Sequence, residues 1–345
     1  MNLPPSRVTL EDVAREAGVS LATVDRVLNR RPGVRARTES RVQAAVQRLN
    51  YRPDPAAARL ARNRFHRFLF LLPSGSNSFF AQLEEQALQL RDWLAAQRAG
   101  LEIQRTDVFD PGTLARRLEA IPAGCDGVAV VALDHPRVRH AIDELAARGV
   151  PVVTLVSDVP SARRLHYVGI DNAAAGRTAA TLMGRFLGGR GGAIGVLAGS
   201  LSLRDHAERY FGFAQVMERD FPGLTLLPVL EGRDDNGRNA TLVQRLLEQA
   251  PGLRGLYNIG AGHRGVVAAL EQAGRADGIV YIGHELTPHT RRFLLEGTLD
   301  ACIAQDAGHE VRSAARLLLA QALREPVLPE QERIRIGIFV RDNLP

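Results

Sequence analysis

The sequence predicts a small all-α helix-turn-helix unit followed by a two-lobed α/β core with parallel sheets. Three observations carry this. Residues 9–50 hold three short amphipathic stretches, and only Ala17-Gly18-Val19 separates the first two. From Phe68 onward, short apolar runs alternate with amphipathic helical stretches, the pattern of strands joined by crossover helices. Eleven such runs exceed one comfortable sheet, which implies two lobes. A length of 345 residues agrees with two or three domains.

The head divides as follows. "TLEDVAREAG" opens with Thr9 as N-cap, carries Glu11 and Asp12 in its first turn and stops at Gly18. "SLATVDRVLN" opens at Ser20, the next N-cap. "TESRVQAAVQRLN" opens at Thr38 and sets Val42, Ala45, Val46 and Leu49 on one face. In "YRPDPAAARLARNR", Asp54 can cap and Pro55 suits the first helical position. A short Ala-rich helix to about Ala61 is too short to be stable alone.

In the core the expected strands are "FLFLL", "LEIQRTDV", "GVAVVAL", "PVVTLV", "HYVGI", "AIGVLAG", "TLLPVL", "GLYNIG", "GIVYIG", "LDACIAQ" and "RIRIGIFV". Helical patterns at Leu83–Leu94, Val138–Ala147, Ala173–Leu187 and Val311–Leu323 lie between them. The expected boundaries are 1–53 for the helix-turn-helix domain, 54–64 for a hinge helix and linker, and 65–345 for the core. Its N-lobe takes about 65–168 and 306–330, its C-lobe about 169–305 and 331–345. In such folds ligands bind beyond the carboxyl ends of the strands.

Charge separates the two parts. All 44 basic residues are Arg, and residues 1–64 hold 13 of them against six acids. The whole chain carries +6, so the remainder is nearly neutral. A basic head on a neutral body fits a polyanion-binding module joined to something else. No apolar run reaches a membrane span, and the N-terminus shows no signal-peptide core, so the expected location is cytoplasmic and nucleoid-associated, with no membrane partner. Cys125 and Cys302 sit in apolar stretches as core residues, not as a disulfide framework. Trp93 also reads as core.

A helix-turn-helix reads DNA with the N-terminal part of its second helix in the major groove. Here that helix offers Leu21, Ala22, Thr23, Asp25 and Arg26, while Val24 and Val27 face inward. Arg26 can pair bidentately with guanine, and Asp25 can accept from a cytosine amino group or hold Arg26 in place. Leu21 and Ala22 can touch a thymine methyl. Thr9, Ser20, Thr23, Arg35, Arg37 and Thr38 lie at helix starts or on the connecting loop, where phosphates dock. The competing reading is a plain three-helix bundle with a solvated basic face.

The stretch "VTLEDVAREAGVSLATVDRVLN…GVRARTESRVQAAVQRLNYRPDPAAARLA" resembles the head and hinge of the LacI/GalR repressor family over residues 8–62, nearly without gaps. The remainder resembles that family's effector core, which shares the periplasmic-binding-protein-like type I fold with periplasmic sugar-binding proteins. The resemblance implies a homodimer on a near-palindromic operator, with residues 54–62 helical on DNA. It places Leu60 as a wedge in the minor groove. It matches Leu21, Ala22 and Arg26 to base reading and Asn29 to a backbone contact. Two residues depart from the family pattern: Asp25 stands for a usual Ser, and Asp54 for a usual Asn. No heptad helix follows "RIRIGIFVRDNLP", which favours a dimer.

"PSGSNSFFAQL" resembles the "NPFF" segment of pentose-binding and related proteins. Asn77 offers a donor and an acceptor to hydroxyls, and Phe79 and Phe80 offer flat faces to a sugar ring. Alternatively the Phe pair is core and Asn77 a helix cap. The resemblance implies that Arg209, three residues before Gly212, reaches the effector; the alternative is a surface ion pair. It also implies Gln305 as a ligand amide. Asp158 and Asp171 follow strand ends and could take hydroxyls, though Asp171 could equally cap a helix. Gly260-Ala261 replaces the family's Asn-Asp, with Asn258 nearby. His284 and Glu285 replace its usual Asp, and Asp234 and Asp235 stand where an aromatic lid is common. The ligand expected is a monosaccharide or cyclitol, and a purine is disfavoured.

His206, His263, His284 and Glu285 could meet near one cleft, but no close ligand spacing such as His-x-x-x-His appears, so no metal is expected. "RDDNGRN" lacks a calcium loop's alternate acids, and "GGRGGAIG" lacks the Gly-Lys-Ser/Thr of a phosphate loop. No cofactor is expected, and no nucleophilic triad stands out. The sequence therefore predicts a sequence-specific transcriptional regulator, not an enzyme. It would repress carbohydrate catabolism or uptake genes under control of a sugar or cyclitol. The alternatives are a corepressor-dependent repressor or an activator with a non-sugar effector. A solute-binding protein without a DNA role is disfavoured by the basic head.

Overall fold

A computed structural model describes residues 8–28, 31–51, 64–75 and 77–345. The chain divides into two units, Met1–Arg64 and Phe65–Pro345.

The head holds α1 (Leu10–Ala17), α2 (Leu21–Leu28) and α3 (Ala36–Arg48). Thr9 caps α1: its hydroxyl accepts from the Asp12 amide at 3.3 Å, and the Asp12 carboxylate accepts from the Thr9 amide at 2.9 Å. Those bonds hold the Asp12 carboxyl below the usual carboxylate range. Gly18 ends α1 with φ 60°, a left-handed conformation in which only glycine is unstrained. A Cβ there would also lie 2.8 Å from the Arg41 guanidinium. Arg41, on α3, donates to the carbonyls of Ala17 and Gly18, and Arg48 pairs with Glu16 at 3.1 Å. Val13, Val24 and Val42, all fully buried, meet at the centre. The third helix starts at Ala36, two residues before the expected Thr38. The Arg35 carbonyl already accepts from the Thr38 amide at 2.8 Å, and Arg35 supplies no side-chain cap.

The core contains two sheets. The first pairs β1 (His66–Pro73), β2 (Ala99–Thr106), β3 (Gly127–Val130), β4 (Val152–Leu155) and β5 (His166–Val168) in the order β2-β1-β3-β4-β5, all parallel. The second is built from β6 (Gly192–Ala198), β7 (Leu224–Leu226), β8 (Leu230–Glu231), β9 (Leu253–Asn258), β10 (Val280–His284), β11 (Ala301–Ala304) and β12 (Gly337–Phe339). Its order is β12-β11-β10-β9-β6-β7, with β8 also beside β6, and only β12 is antiparallel. Along β1, Phe68, Phe70 and Leu72 pack on one face and Leu69 and Leu71 on the other. Burial on both faces is why this strand reads as a continuous apolar run.

The crossover helices are α4 (Ser78–Gln89), α5 (Arg91–Ala96), α6 (Pro111–Glu119), α7 (Pro136–Ala147), α8 (Asn172–Leu187), α9 (Arg204–Asp220), α10 (Asn236–Gln249), α11 (His263–Gln272), α12 (Pro288–Glu296) and α13 (Ala307–Leu323). The chain passes between the sheets after β5, after β11 and after α13. Although α13 follows β11 of the second sheet, it packs on β1, β3, β4 and β5 of the first.

Four details differ from the sequence reading. The helix expected at Leu83–Leu94 breaks at Leu90 into α4 and α5, where the Leu90 amide turns to the Ala87 carbonyl at 3.2 Å. "TLLPVL" forms two short strands because Pro228 supplies no ladder donor. Of "RIRIGIFV", only Gly337–Phe339 is a strand. Trp93 is 40% exposed on α5 and so is not core. Cys302 is fully buried and Cys125 half-buried, both as free thiols. Among the described residues no helix is long and apolar enough to cross a membrane.

Candidate functional site

In the head, Leu21, Ala22 and Arg26 are exposed on one side of α2, with Thr23 and Asp25 half-buried beside them. Val24 and Val27 point into the core, so α2 separates an apolar face from a free one. The Ser20 hydroxyl accepts from the Thr23 amide at 3.2 Å and lies 2.9 Å from the Thr23 hydroxyl. Asp25 pairs with Arg31 at 3.2 Å. Arg35 and Arg37 are exposed at the start of α3, and Thr38 is half-buried there. The hydroxyl of Thr9 is engaged by its own cap, donating to Asp12 at 2.8 Å. Asn29, Leu60 and the proposed hinge helix lie outside the described residues.

In the core, a cavity of about 220 Å³ opens between the two sheets at the carboxyl ends of their strands. That is below the roughly 300–1,000 Å³ of sites for drug-sized ligands, and it suits a small molecule. Of the predicted residues, Asn77, Phe79, Phe80, Arg209, His284 and Glu285 line it. Asn77 serves both readings. Its Oδ1 caps α4 by accepting from the Phe79 amide at 3.0 Å, and its Nδ2 donates across the cleft to Asp234 at 3.1 Å. Phe79 is buried in the core and also forms cleft wall, 5.6 Å from the Phe80 ring centre.

Arg209 is buried, not a surface ion pair. Its guanidinium donates to Asn172 at 2.8 Å, to the Ile259 carbonyl at 3.1 Å and to Glu285 at 3.4 Å. Burial raises the Glu285 pKa, and the Arg209 charge offsets this in part. His284 Nε2 meets the Tyr257 hydroxyl at 2.7 Å. Burial holds His284 well below its ordinary pKa and lowers His263 to about 4, so both rings are neutral at pH 7. His263 donates from Nε2 to the His284 carbonyl at 3.0 Å, and its Nδ1 lies 2.6 Å from the Tyr281 hydroxyl.

Four predicted residues fall elsewhere. Asp158 is captured locally: Arg164 grips both its oxygens, and Thr154 donates at 2.7 Å. Burial would raise its pKa, but these bonds bring it below the usual carboxylate range. Asp171 caps α8 through the Ala174 amide at 2.8 Å and lines a separate surface groove. Gln305 sits behind Glu285, donating to it at 2.9 Å. Asn258 stands beneath the floor, donating to the Ala261 carbonyl at 3.0 Å.

Asp205, His206, Asp234 and Ser157 also line the cleft and were not among the predicted ligands. A helical signal existed for one of them: Asp205 stands four residues before Arg209, on the same face of α9. The room for Asp234 comes from Gly260, where a Cβ would meet its Oδ1 at 2.3 Å. Backbone strain marks the same place. Val156, Asp234 and Glu285 all have positive φ, at 62°, 57° and 67°, and all three line the cavity. Such residues cost about 1–3 kcal/mol each and cluster at ligand clamps. No group of metal-ligating side chains occurs among the described residues.

Residues 9–54 match the lacI family of bacterial regulatory proteins, and residues 68–326 match the periplasmic binding protein domain. The chain belongs to the periplasmic binding protein domain family and carries a lacI-family head. Catabolite control protein A of Priestia megaterium is 31% identical over 164 residues, 48% of each chain. Its namesake in Staphylococcus aureus strain N315 is 45% identical over 76 residues, 22% of this chain and 23% of that one. The matched stretch thus spans about half or less of these relatives. Among solved structures, GanP, a glucose-galactose binding protein from Geobacillus stearothermophilus, aligns with TM-score 0.74 and 23% identity over 82% of this chain and all of that one. A solute binding protein from Burkholderia graminis in complex with D-arabinose aligns with TM-score 0.72 and 21% identity, over 81% and 96%. At these identities the likeness shows the fold: the core is a periplasmic-binding-protein-like α/β unit with parallel sheets.

Proposed function

We propose that the chain is a sequence-specific DNA-binding transcriptional regulator of carbon metabolism. It acts as a repressor of carbohydrate catabolism or uptake genes, and a monosaccharide or cyclitol in the cleft controls it. The observation that carries this is one chain uniting a lacI-family head, with Arg26 exposed on α2, and a small polar cleft where Asn77 already bridges the two lobes. The catabolite control protein A relatives and the sugar-bound fold neighbours support a carbon-metabolism role. The head docks on a near-palindromic operator as a homodimer. Ligand binding favours one lobe arrangement, and its differential affinity for two states is the whole of the regulatory signal.

The test has two parts. Thermal unfolding of the full chain against pentoses, hexoses and cyclitols identifies the ligand, since saturation at 100 times Kd adds about 2.7 kcal/mol of stability. Operator affinity is then measured with and without that ligand. A fall of tenfold or more supports a derepressed repressor, and a rise means corepression. Operator affinity unchanged by removal of residues 1–62 would sink the proposal.

A further inference from the structure

Granting an effector in this cleft, its floor specifies more than a polyol. Three residues that line the cavity each hold a buried polar atom with no hydrogen-bond partner among the described residues: Asp205 at Oδ1, Ser157 at Oγ and His284 at Nδ1. These residues are at most 5% exposed. Orphaned atoms of this kind are rare in native structures and call for a partner. The proton on His284 can be placed. The Tyr257 hydroxyl is fully buried and its bond is to His284 Nε2, so it donates there. The imidazole hydrogen then sits on Nδ1, making that atom a donor. The floor therefore pairs a neutral donor at His284 with a carboxylate acceptor at Asp205.

The charge balance points the same way. Asp205, Asp234 and Glu285 line the cavity against one buried cation, Arg209, whose guanidinium is shared among Asn172, Ile259 and Glu285. The second lining arginine, Arg264, is solvent-exposed. Four histidines line the cavity, His206, His263, His284 and His289. His206 Nδ1 accepts from the amides of Gly199 and Ser200, at 3.1 and 3.3 Å, and its Nε2 lies 3.6 Å from Asp205 Oδ2, leaving Oδ1 as the unpartnered oxygen. His263 donates from one nitrogen and accepts at the other. A sugar acid or sugar phosphate would meet surplus carboxylates with no uncommitted buried cation to receive it. A cation would meet a buried carboxylate oxygen lacking a partner, and a charged donor makes the stronger bond to it.

We propose that the effector is a cationic amino polyol, an amino sugar or aminocyclitol, whose ammonium group bonds Asp205 and whose ring oxygen or hydroxyl accepts from His284 Nδ1.

Matched titrations on the full chain test this. Glucosamine, galactosamine and mannosamine are compared with glucose, galactose and mannose, and inosamine with inositol, by calorimetry at one pH and salt concentration. At least one amine should bind tenfold or more tightly than its neutral parent, a gap of about 1.4 kcal/mol. Its N-acetyl form should lose that gain. Asp205→Asn should reduce the amine to the level of the parent. The wild-type comparison stands whether or not that variant folds. Equal or tighter binding of the neutral parent overturns the amine and leaves the polyol cleft intact. Binding by neither series overturns both.

Discussion

Asn77, at the head of the first lobe's α4, donates to Asp234 of the second lobe at 3.1 Å while its other amide atom caps its own helix. One side chain thus ties local helix initiation to closure of the cleft. Asn77→Asp keeps the capping oxygen but sets a carboxylate against Asp234. It should leave stability within about 1 kcal/mol and weaken ligand binding about tenfold or more, with a larger radius in solution scattering. Asn77→Ala should lose the cap as well, costing about 1 kcal/mol in chemical unfolding.

Arg209 and Glu285 form a largely buried pair at 3.4 Å, with side chains 3% and 12% exposed. Removing one partner from such a pair strands the other charge, at about 3–5 kcal/mol. Arg209→Met should therefore destabilise the core by that order. Adding Glu285→Gln should recover a large part, because no stranded carboxylate remains. Urea unfolding of both singles and the double gives the coupling directly. Additive losses would mean that the two side chains do not stabilise one another.

In the head, Arg26 and Arg37 should behave differently. Arg26 is exposed on α2 beside Leu21 and Ala22, and Arg37 is exposed in the first turn of α3. Arg26→Ala should cost about 1–3 kcal/mol on the operator and relax preference at one base pair. Arg37→Ala should weaken all sequences alike and reduce the salt dependence by about one ion. Fluorescence anisotropy on operator and scrambled duplexes, across a salt series, separates the two.

Acid should uncover His263. Burial lowers its pKa to about 4, against about 6.5 when unfolded. Between those values the unfolded chain binds a proton that the folded chain refuses, so stability falls as pH drops through the window and levels off below it. The loss is about 3 kcal/mol. Glu310, fully buried with its pKa well raised, acts in the opposite sense at low pH. The informative quantity is thus a difference: wild type should lose about 3 kcal/mol more than His263→Gln between pH 7 and pH 4. Equal slopes would show that the ring is not held neutral.

Much of the head was legible in the sequence, because its signals are local. Thr9 and Asp12 are three residues apart and form the capping box that their spacing implies, and Gly18 takes the left-handed turn that frees α2 from α1. The strands were legible as well, since a strand buried on both faces has to be apolar throughout. Missed signals were non-local: Arg41 locks the turn from α3, 23 residues beyond Gly18.

The cleft divides along the same line. The sequence by itself determined that polar residues stand after the strand ends, and the motif around Asn77, Phe79 and Phe80 placed those three on its wall. Which carboxylates face the ligand was decided only by tertiary structure. Asp158 follows β4 as Asp234 follows β8, yet Arg164 and Thr154 consume Asp158 locally. Asp234 enters the cleft because Gly199 and Gly260, distant in sequence, present no Cβ where its carboxylate lies. A carboxylate goes to whichever donors reach it first. Nearby donors can be read from sequence spacing, but the space left by distant glycines exists only once the chain has folded.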